Sequence, residues 1–154
     1  MDLNRRDFVA VVGAGLALAA TAGAEEPKKG VAPKPAAPPS AKELEVARTA
    51  AACVAAGELC VAHCGRELAT GNTAMASCNA RVHDMLATCR AMVTLASSAS
   101  PLSRAMAAVC ADACKACAAA CLEHKAHWAH GMHLECKACY ETCLACEKSC
   151  RELV

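Results

Sequence analysis

The sequence predicts an all-α chain, an antiparallel up-down four-helix bundle with a cysteine-lined core. Three observations point there. The fourteen cysteines recur at helical spacings. No stretch alternates with period 2 and β-branched residues are few, so no strand is expected. Breakers separate the periodic segments into four helices with short connections, which favour antiparallel neighbours.

Taken in order, the first helix is expected over 41–69. Ser40 is its N-cap, Glu43 stands at the capping-box position, and Cys53, Cys60 and Cys64 share one face. Gly71-Asn72 ends it. Asn72 or Thr73 then caps a second helix running to about 96, with Cys78 and Cys89 on one face. Residues 97–100 and Pro101 make the next break. The third helix covers about 101–125, with Cys110, Cys114, Cys117 and Cys121 in register. A loop holding His127, His130 and Gly131 leads to the fourth, about 132–153. Its cysteines, Cys136, Cys139, Cys143, Cys146 and Cys150, are spaced 3, 4, 3 and 4. At about 100° per residue they fall within about 80° of one helix face. Spacings of 3, 4, 7 and 11 are those an amphipathic helix uses to build a core, and here the core positions are thiols. Gly57 and Gly65 lie inside the first helix against propensity and point to close helix contact. The third and fourth helices resemble each other, C-x3-C-x2-C-x3-C against C-x2-C-x3-C-x2-C-x3-C, as an internal duplication would.

The 154 residues suit one domain; 56% are hydrophobic but only 2% aromatic. The apolar volume is mostly alanine, with scattered leucine and valine. Net charge is +1 with neutral histidine, so nothing points to nucleic acid or anionic lipid. Lys137, Glu141, Lys148 and Glu152, and likewise Asp112, Lys115 and Glu123, lie opposite the cysteine stripes as a solvated face.

Residues 1–24 read as a twin-arginine signal peptide. Asn4-Arg5-Arg6-Asp7-Phe8-Val9 carries the arginine pair, a weakly apolar run covers 9–20, and Ala22-Gly23-Ala24 offers a cleavage site. The run is too short for a bilayer, which needs about 20 apolar residues, and no span is expected in the mature chain. Residues 25–40, with five prolines and three lysines, read as an extended linker, which leaves 41–154 as the bundle. The twin-arginine route exports folded proteins, often with a cofactor bound. That lets a thiol-rich chain fold reduced before it reaches the periplasm or an associated extracytoplasmic compartment.

Packing alone does not explain the stripes. A cysteine buries roughly two fewer methylenes than leucine, each worth about 0.8 kcal/mol. Over all the cysteines the loss is on the order of 20 kcal/mol, against a net domain stability of about 5–15 kcal/mol. A disulfide framework is favoured by export and an even cysteine count. However, such scaffolds staple loop-rich chains, and cysteines on one helix face bond only with strain. Cross-helix pairs keep a disulfide-stabilised structural bundle open as an alternative. A redox enzyme would put its C-x-x-C beside a βαβ pattern, and none is visible. The chain therefore reads as a binder of soft metal without enzymatic turnover.

Thiolates select Cu(I), Zn(II) or iron–sulfur clusters. Iron–sulfur motifs hold their cysteines in loops. Tetrahedral Zn(II) without sharing would use about four ions, about +8 against about −14, leaving costly buried charge. Cu(I) accepts two or three thiolates and bridges readily, so about one ion per thiolate comes near neutrality. Thiolate sharing could also neutralise zinc, so a metallothionein-like Zn/Cd buffer stays open. In an up-down bundle His63, Cys64, Met75, Met132, His124, His127, His130 and His133 gather at one end. Their imidazoles and thioethers hold copper more weakly than bridging thiolates, which suits a mouth where copper enters and leaves. His83 lies off the cysteine face. Met85, Met92 and Met106 read first as core filler.

The run Cys53-x6-Cys60-x2-His63-Cys64, then Met75-x2-Cys78-x10-Cys89, then the cysteine-rich helix pair, resembles the exported bacterial copper storage proteins. The resemblance covers roughly 40–154, plus the type of export signal. It implies many Cu(I) ions on the fourteen thiols, a mouth including His63 and Met75, and a homo-oligomer, a tetramer. It also implies storage that supplies copper enzymes or guards against excess copper, with a copper chaperone or copper enzyme as partner. The chain departs from the family where exported relatives have extra methionines in the first turn. Here Glu67 and Thr70 stand there, and a longer histidine-rich loop, 124–133, follows the third helix.

Overall fold

The computed structural model describes residues 37–154. The expected signal peptide and most of the expected linker lie outside the described residues. Every regular element among the described residues is helical. Four long helices, α1 (Ala41–Ala69), α2 (Ala76–Ser97), α3 (Ser103–Leu122) and α5 (Leu134–Leu153), are joined by short turns, with one-turn α4 (Lys125–Trp128) before the last.

The first helix begins as its sequence dictates. Ser40 Oγ accepts from the Glu43 backbone N–H, and the Glu43 carboxylate accepts from the Ser40 N–H at 2.7 Å, satisfying two otherwise orphaned donors. Gly71, at φ 90°, takes the left-handed conformation that closes the helix at little steric cost.

The next boundaries differ from expectation. Neither Asn72 nor Thr73 caps α2 through its side chain. Asn72 Nδ2 donates to Glu67 Oε2 at 2.9 Å, so its amide is spent on the preceding helix, and a 3-10 turn at Thr73–Met75 leads into α2. The third helix starts two residues later than expected, because Ser103 closes a turn on the Ser100 carbonyl at 2.9 Å. It ends at Leu122 rather than near Lys125. The chain then tightens, with His124 N–H donating to the Cys121 carbonyl at 3.1 Å, and winds α4, whose Trp128 packs on Tyr140 with ring centres 5.5 Å apart. The predicted loop is thus partly helical. The last helix begins at Leu134, two residues later than expected, after His133 in a left-handed conformation.

The long helices pack in a ring: α1 and α3 each lie against both α2 and α5. The start of α1 meets the end of α5, where Lys42 Nζ donates to the Glu152 carbonyl at 2.7 Å. The end of α1 meets the start of α5 through His63 and His133. Between the cysteines and the first of these ends the core is aliphatic: Val46, Ala50, Met92, Ala96, Ala107 and Leu153 are buried. Thr49 and Ser149 share a hydroxyl hydrogen bond of 2.6 Å there. Gly57 does mediate close contact, since a Cβ would stand 2.6 Å from Met85 Cε; Gly65 faces open space.

The charged residues expected on the outer face are exposed and form ion pairs such as Lys137–Glu141 and Arg151–Asp112. The expectation that no later segment is long enough and free enough of charge to span a membrane needs correcting. Helix α3 is by length and composition long and apolar enough to cross a membrane. The apolarity is that of a core helix, because Cys110, Cys114, Cys117 and Cys121 are buried against its neighbours.

Candidate metal centre

Helices α1, α2, α3 and α5 contribute three, two, four and five cysteines. Each set returns to the inner face by its own register, and the ring of helices points all four sets at one axis. All fourteen side chains are fully enclosed, at 0% exposure, and all are free thiols. Cys53, Cys89, Cys114 and Cys146, one from each long helix, place their sulfurs within 4.8 Å of one another. Cys60, Cys64, Cys78 and Cys136 do the same, as do the triplets Cys60/Cys121/Cys139, Cys110/Cys146/Cys150 and Cys117/Cys139/Cys143. Every cysteine belongs to at least one set, and Cys60, Cys139 and Cys146 each belong to at least two. Cys143 of one set and Cys146 of another stand about one helical turn apart on α5, as do Cys114 and Cys117 on α3, which places the two halves in one column. On α2 the face between Cys78 and Cys89 is closed by Val82, Met85 and Leu86.

The spacings fit shared metal. Cys78–Cys121, Cys89–Cys110 and Cys89–Cys114 stand 3.6 Å apart, Cys117–Cys139 3.7 Å, Cys60–Cys136 3.8 Å and Cys89–Cys146 4.0 Å. With metal–sulfur bonds of about 2.3 Å, two ligands of one ion lie about 3.8 Å apart in a tetrahedron and about 4.0 Å in a trigonal plane. A two-coordinate linear ion would need about 4.6 Å, wider than these contacts.

Crowding splits the thiols' acidity. A thiolate that accepts S–H bonds is stabilised, and its donors must hold their protons. Cys53 is pulled down to about 6 by its neighbouring thiols, Cys114 first and then Cys143. Cys110 falls to about 5, chiefly through Cys114. Cys78, beside Cys121, and Cys146, beside Cys110, are also lowered. Cys60 is pushed up by Cys121 and Cys136, and Cys89 by Cys110 and Cys114. Metal binds the thiolate form, so loading must displace the protons these thiols hold.

Next to Cys64 and Cys136 stands a histidine cluster. His63, 8% exposed, faces His133 with Nε2 and Nδ1 2.8 Å apart. Its other nitrogen lies 3.6 Å from the Glu135 carboxylate, which also pairs with Arg66. The rings of His124 and His127 stand 5.5 Å and 5.2 Å from that of His133. His124 is 6% exposed. Burial, then the charge of His63, lowers the His133 pKa, so its imidazole favours the neutral form. Met75 is enclosed at 1% exposure in the same core cluster as the thiols.

Of the expected mouth residues the structure therefore brings together His63, His124, His127 and His133, with Met75 buried in the thiol core. Met132, 47% exposed, is not brought in, and His130 is exposed too. Sequence reading missed Glu135 as the carboxylate facing His63; its place two residues after His133 was the only signal. It also missed the Thr49–Ser149 pair, whose two members are far apart in the chain.

No curated protein matches this chain. The family model described as "Copper storage protein" matches residues 40–154, which takes in all four long helices and every cysteine. That family stores metal rather than catalysing a reaction, and a column of enclosed, mutually adjacent thiols is the structure such storage requires: the chain belongs to the copper storage protein family.

Proposed function

We propose that the chain stores Cu(I), at close to one ion per cysteine, on the thiolates of Cys53, Cys60, Cys64, Cys78, Cys89, Cys110, Cys114, Cys117, Cys121, Cys136, Cys139, Cys143, Cys146 and Cys150. The observation that carries this is their complete enclosure in linked sets within ligand distance. Enclosed thiolates without countercharge are costly, and one monovalent ion per thiolate removes the imbalance. Bridging between sets through Cys60, Cys139 and Cys146 lets one ion's ligands serve the next.

The four long helices alternate in direction. Support comes from opposed pairings: Cys78 with Cys121 and Cys89 with Cys110 for α2 and α3, and Cys60 with Cys136 and Thr49 with Ser149 for α1 and α5. Copper passes through the end carrying His63 and Met75, because the opposite end is sealed by aliphatic side chains. The protein performs no turnover, is exported by the twin-arginine route to an extracytoplasmic compartment, and assembles as a homo-oligomer, a tetramer. Its copper supplies copper enzymes, directly or through a chaperone, or is held out of harm's way.

The test is a Cu(I) titration of the reduced mature protein against a coloured chelator without oxygen. Uptake near one ion per cysteine is expected, and saturation at one or two ions would sink the reading. Two rivals give different results in companion measurements. A disulfide-bonded bundle would show few free thiols in protein taken from the exported compartment. A Zn/Cd buffer would keep zinc when Cu(I) is offered at equal supply. Lysine in place of Arg5 and Arg6 should leave the precursor unexported, with export unchanged speaking against that route.

A further inference from the structure

The column has a waist. Core positions on α1 run Cys53, Gly57, Cys60 and Cys64, and on α2 Cys78, Val82, Met85 and Cys89, so both helices skip cysteine partway along. Cys78 pairs with Cys121, and Cys89 with Cys110 and Cys114, on α3. Met85, between Cys78 and Cys89 in the chain, is therefore level with Cys114 and Cys117. On the other pair of helices, Cys53 groups with Cys146 and Cys60 with Cys139, which sets Gly57 level with Cys143. The triplet at this level, Cys117/Cys139/Cys143, draws its thiols from α3 and α5 alone.

Met85 takes the α2 side of the waist. It is fully enclosed, in the same core cluster as the thiols, and lies within about 40° of both Cys78 and Cys89 around the helix. Its methyl rests where Gly57 has no side chain: a Cβ there would stand 2.6 Å from Met85 Cε. Glycine inside a helix runs against propensity, and here it makes the hollow in which the end of Met85 reaches α1. The thioether sulfur is bonded to that methyl, so it lies between the two helices at the level where neither offers a thiol. Leu86 also borders the hollow, its Cδ2 2.9 Å from the same point, so an aliphatic side chain can fill this space. What Met85 adds to filling is a soft lone pair.

We propose that the Met85 thioether is a copper ligand at this waist, and that it hands ions from an outer store, Cys60/Cys64/Cys78/Cys136, to an inner one, Cys53/Cys89/Cys114/Cys146. The inference rests on the storage reading and adds an order of filling to it. Copper that enters beside His63 reaches the inner store only past the waist, because the opposite end is closed by aliphatic side chains. A thioether is as soft as a thiolate and selects Cu(I). It differs in being neutral. It has no proton to lose before it binds, and it adds no negative charge to a buried site. The ion at the waist is thus held by fewer charges than its neighbours on either side and moves on into the four-thiol sets.

The test uses reduced mature protein carrying selenomethionine, loaded with Cu(I) without oxygen, with copper counted on every sample. Met75→Leu is the starting chain, since Met75 is the other methionine enclosed near the histidines. Selenium X-ray absorption should show copper at bonding distance in this chain. Adding Met85→Leu, a volume-conserving change, should abolish that scattering. Full copper without selenium–copper scattering in the starting chain, or scattering that survives Met85→Leu, overturns the assignment. Low copper in the unaltered protein overturns the storage reading and this inference with it. Stopped-flow loading gives the second readout. Met85→Leu alone should fill the outer store at the unaltered rate and the rest several-fold more slowly. Met92→Leu, at the aliphatic end, controls for the loss of a buried thioether and should load at the unaltered rate. A single unaltered rate in Met85→Leu, or equal slowing in Met92→Leu, would overturn the relay.

Discussion

Cysteines 114 and 143 each touch thiols from more than one helix, so their loss affects more than one ion. Cys114→Ser or Cys143→Ser should lower Cu(I) capacity by about one to three ions while leaving the rate of uptake similar, as read by chelator titration and stopped-flow mixing. His63 and Met75 act differently in the storage reading. His63→Phe with Met75→Leu should slow loading or removal severalfold at nearly unchanged capacity. Leucine is chosen because a volume-conserving change at a buried methionine usually costs under about 1.5 kcal/mol, whereas alanine costs about 2–5. Equal effects of the two sets on capacity would abolish the division between column and mouth. The gathering of the thiols on the inner faces was readable from residue spacing. The histidine cluster was only half readable: apart from His63 in α1, its members follow α3 in a stretch without period, and which of them gather there depends on the left-handed turn at His133 and on α4.

Among the helices, α1 shows how local and tertiary terms compete. Ser40→Ala removes the capping box and should cost about 1 kcal/mol, seen as a lower melting temperature. Its partner Glu43 has a carboxyl held below its ordinary value by the Ser40 backbone and hydroxyl bonds. That stabilisation is present above the unfolded carboxyl's pKa and is lost as pH falls through the lower folded value. The two interior glycines separate cleanly. Gly65→Ala meets nothing within 4 Å and should stabilise by up to about 1 kcal/mol through helix propensity. Gly57→Ala gains the same propensity but drives its methyl into Met85 and Leu86. Overpacking costs about 1–3 kcal/mol, so Gly57→Ala should be destabilised relative to Gly65→Ala in parallel melts, and the reverse order would refute the contact. Helix bodies were legible because periodicity sums over many residues. Their ends were less so: Asn72 spends its amide on Glu67, a choice between two nearby partners that composition does not reveal.

Taken together, these elements make a bundle expected to form before metal arrives. Its backbone bonds, aliphatic end and outer ion pairs do not involve copper, so loading and stripping should leave far-ultraviolet circular dichroism nearly unchanged. A large loss of helix on stripping would show that metal folds the chain. The metal-free, reduced bundle should also have a pH optimum. Cys53 and Cys110, lowered to about 6 and about 5, contribute stability that is complete above the unfolded thiol value and is lost as pH falls through 6 and 5. Cys60 and Cys89, pushed upward, contribute stability that is present below the unfolded thiol value and lost as pH rises past it. The two trends meet near the ordinary thiol pKa of about 8.5. Melting should therefore be highest around pH 8–9 and fall at pH 5 and pH 10.5, and a flat profile would contradict the shared-proton picture.

Register was enough to read the helical class, the four cysteine stripes and the soft-metal chemistry, because side-chain direction in a helix follows from spacing alone. The grouping of sulfurs into linked sets was not open to that kind of reading. Neither was the sealing of one end by Val46, Met92 and Leu153, nor the separation of His63, His124 and His133 from exposed Met132 and His130. Those depend on how far each helix is rotated and shifted against its neighbours, and that is fixed by contacts between residues remote in the chain, such as Met85 on Gly57 and His63 on His133.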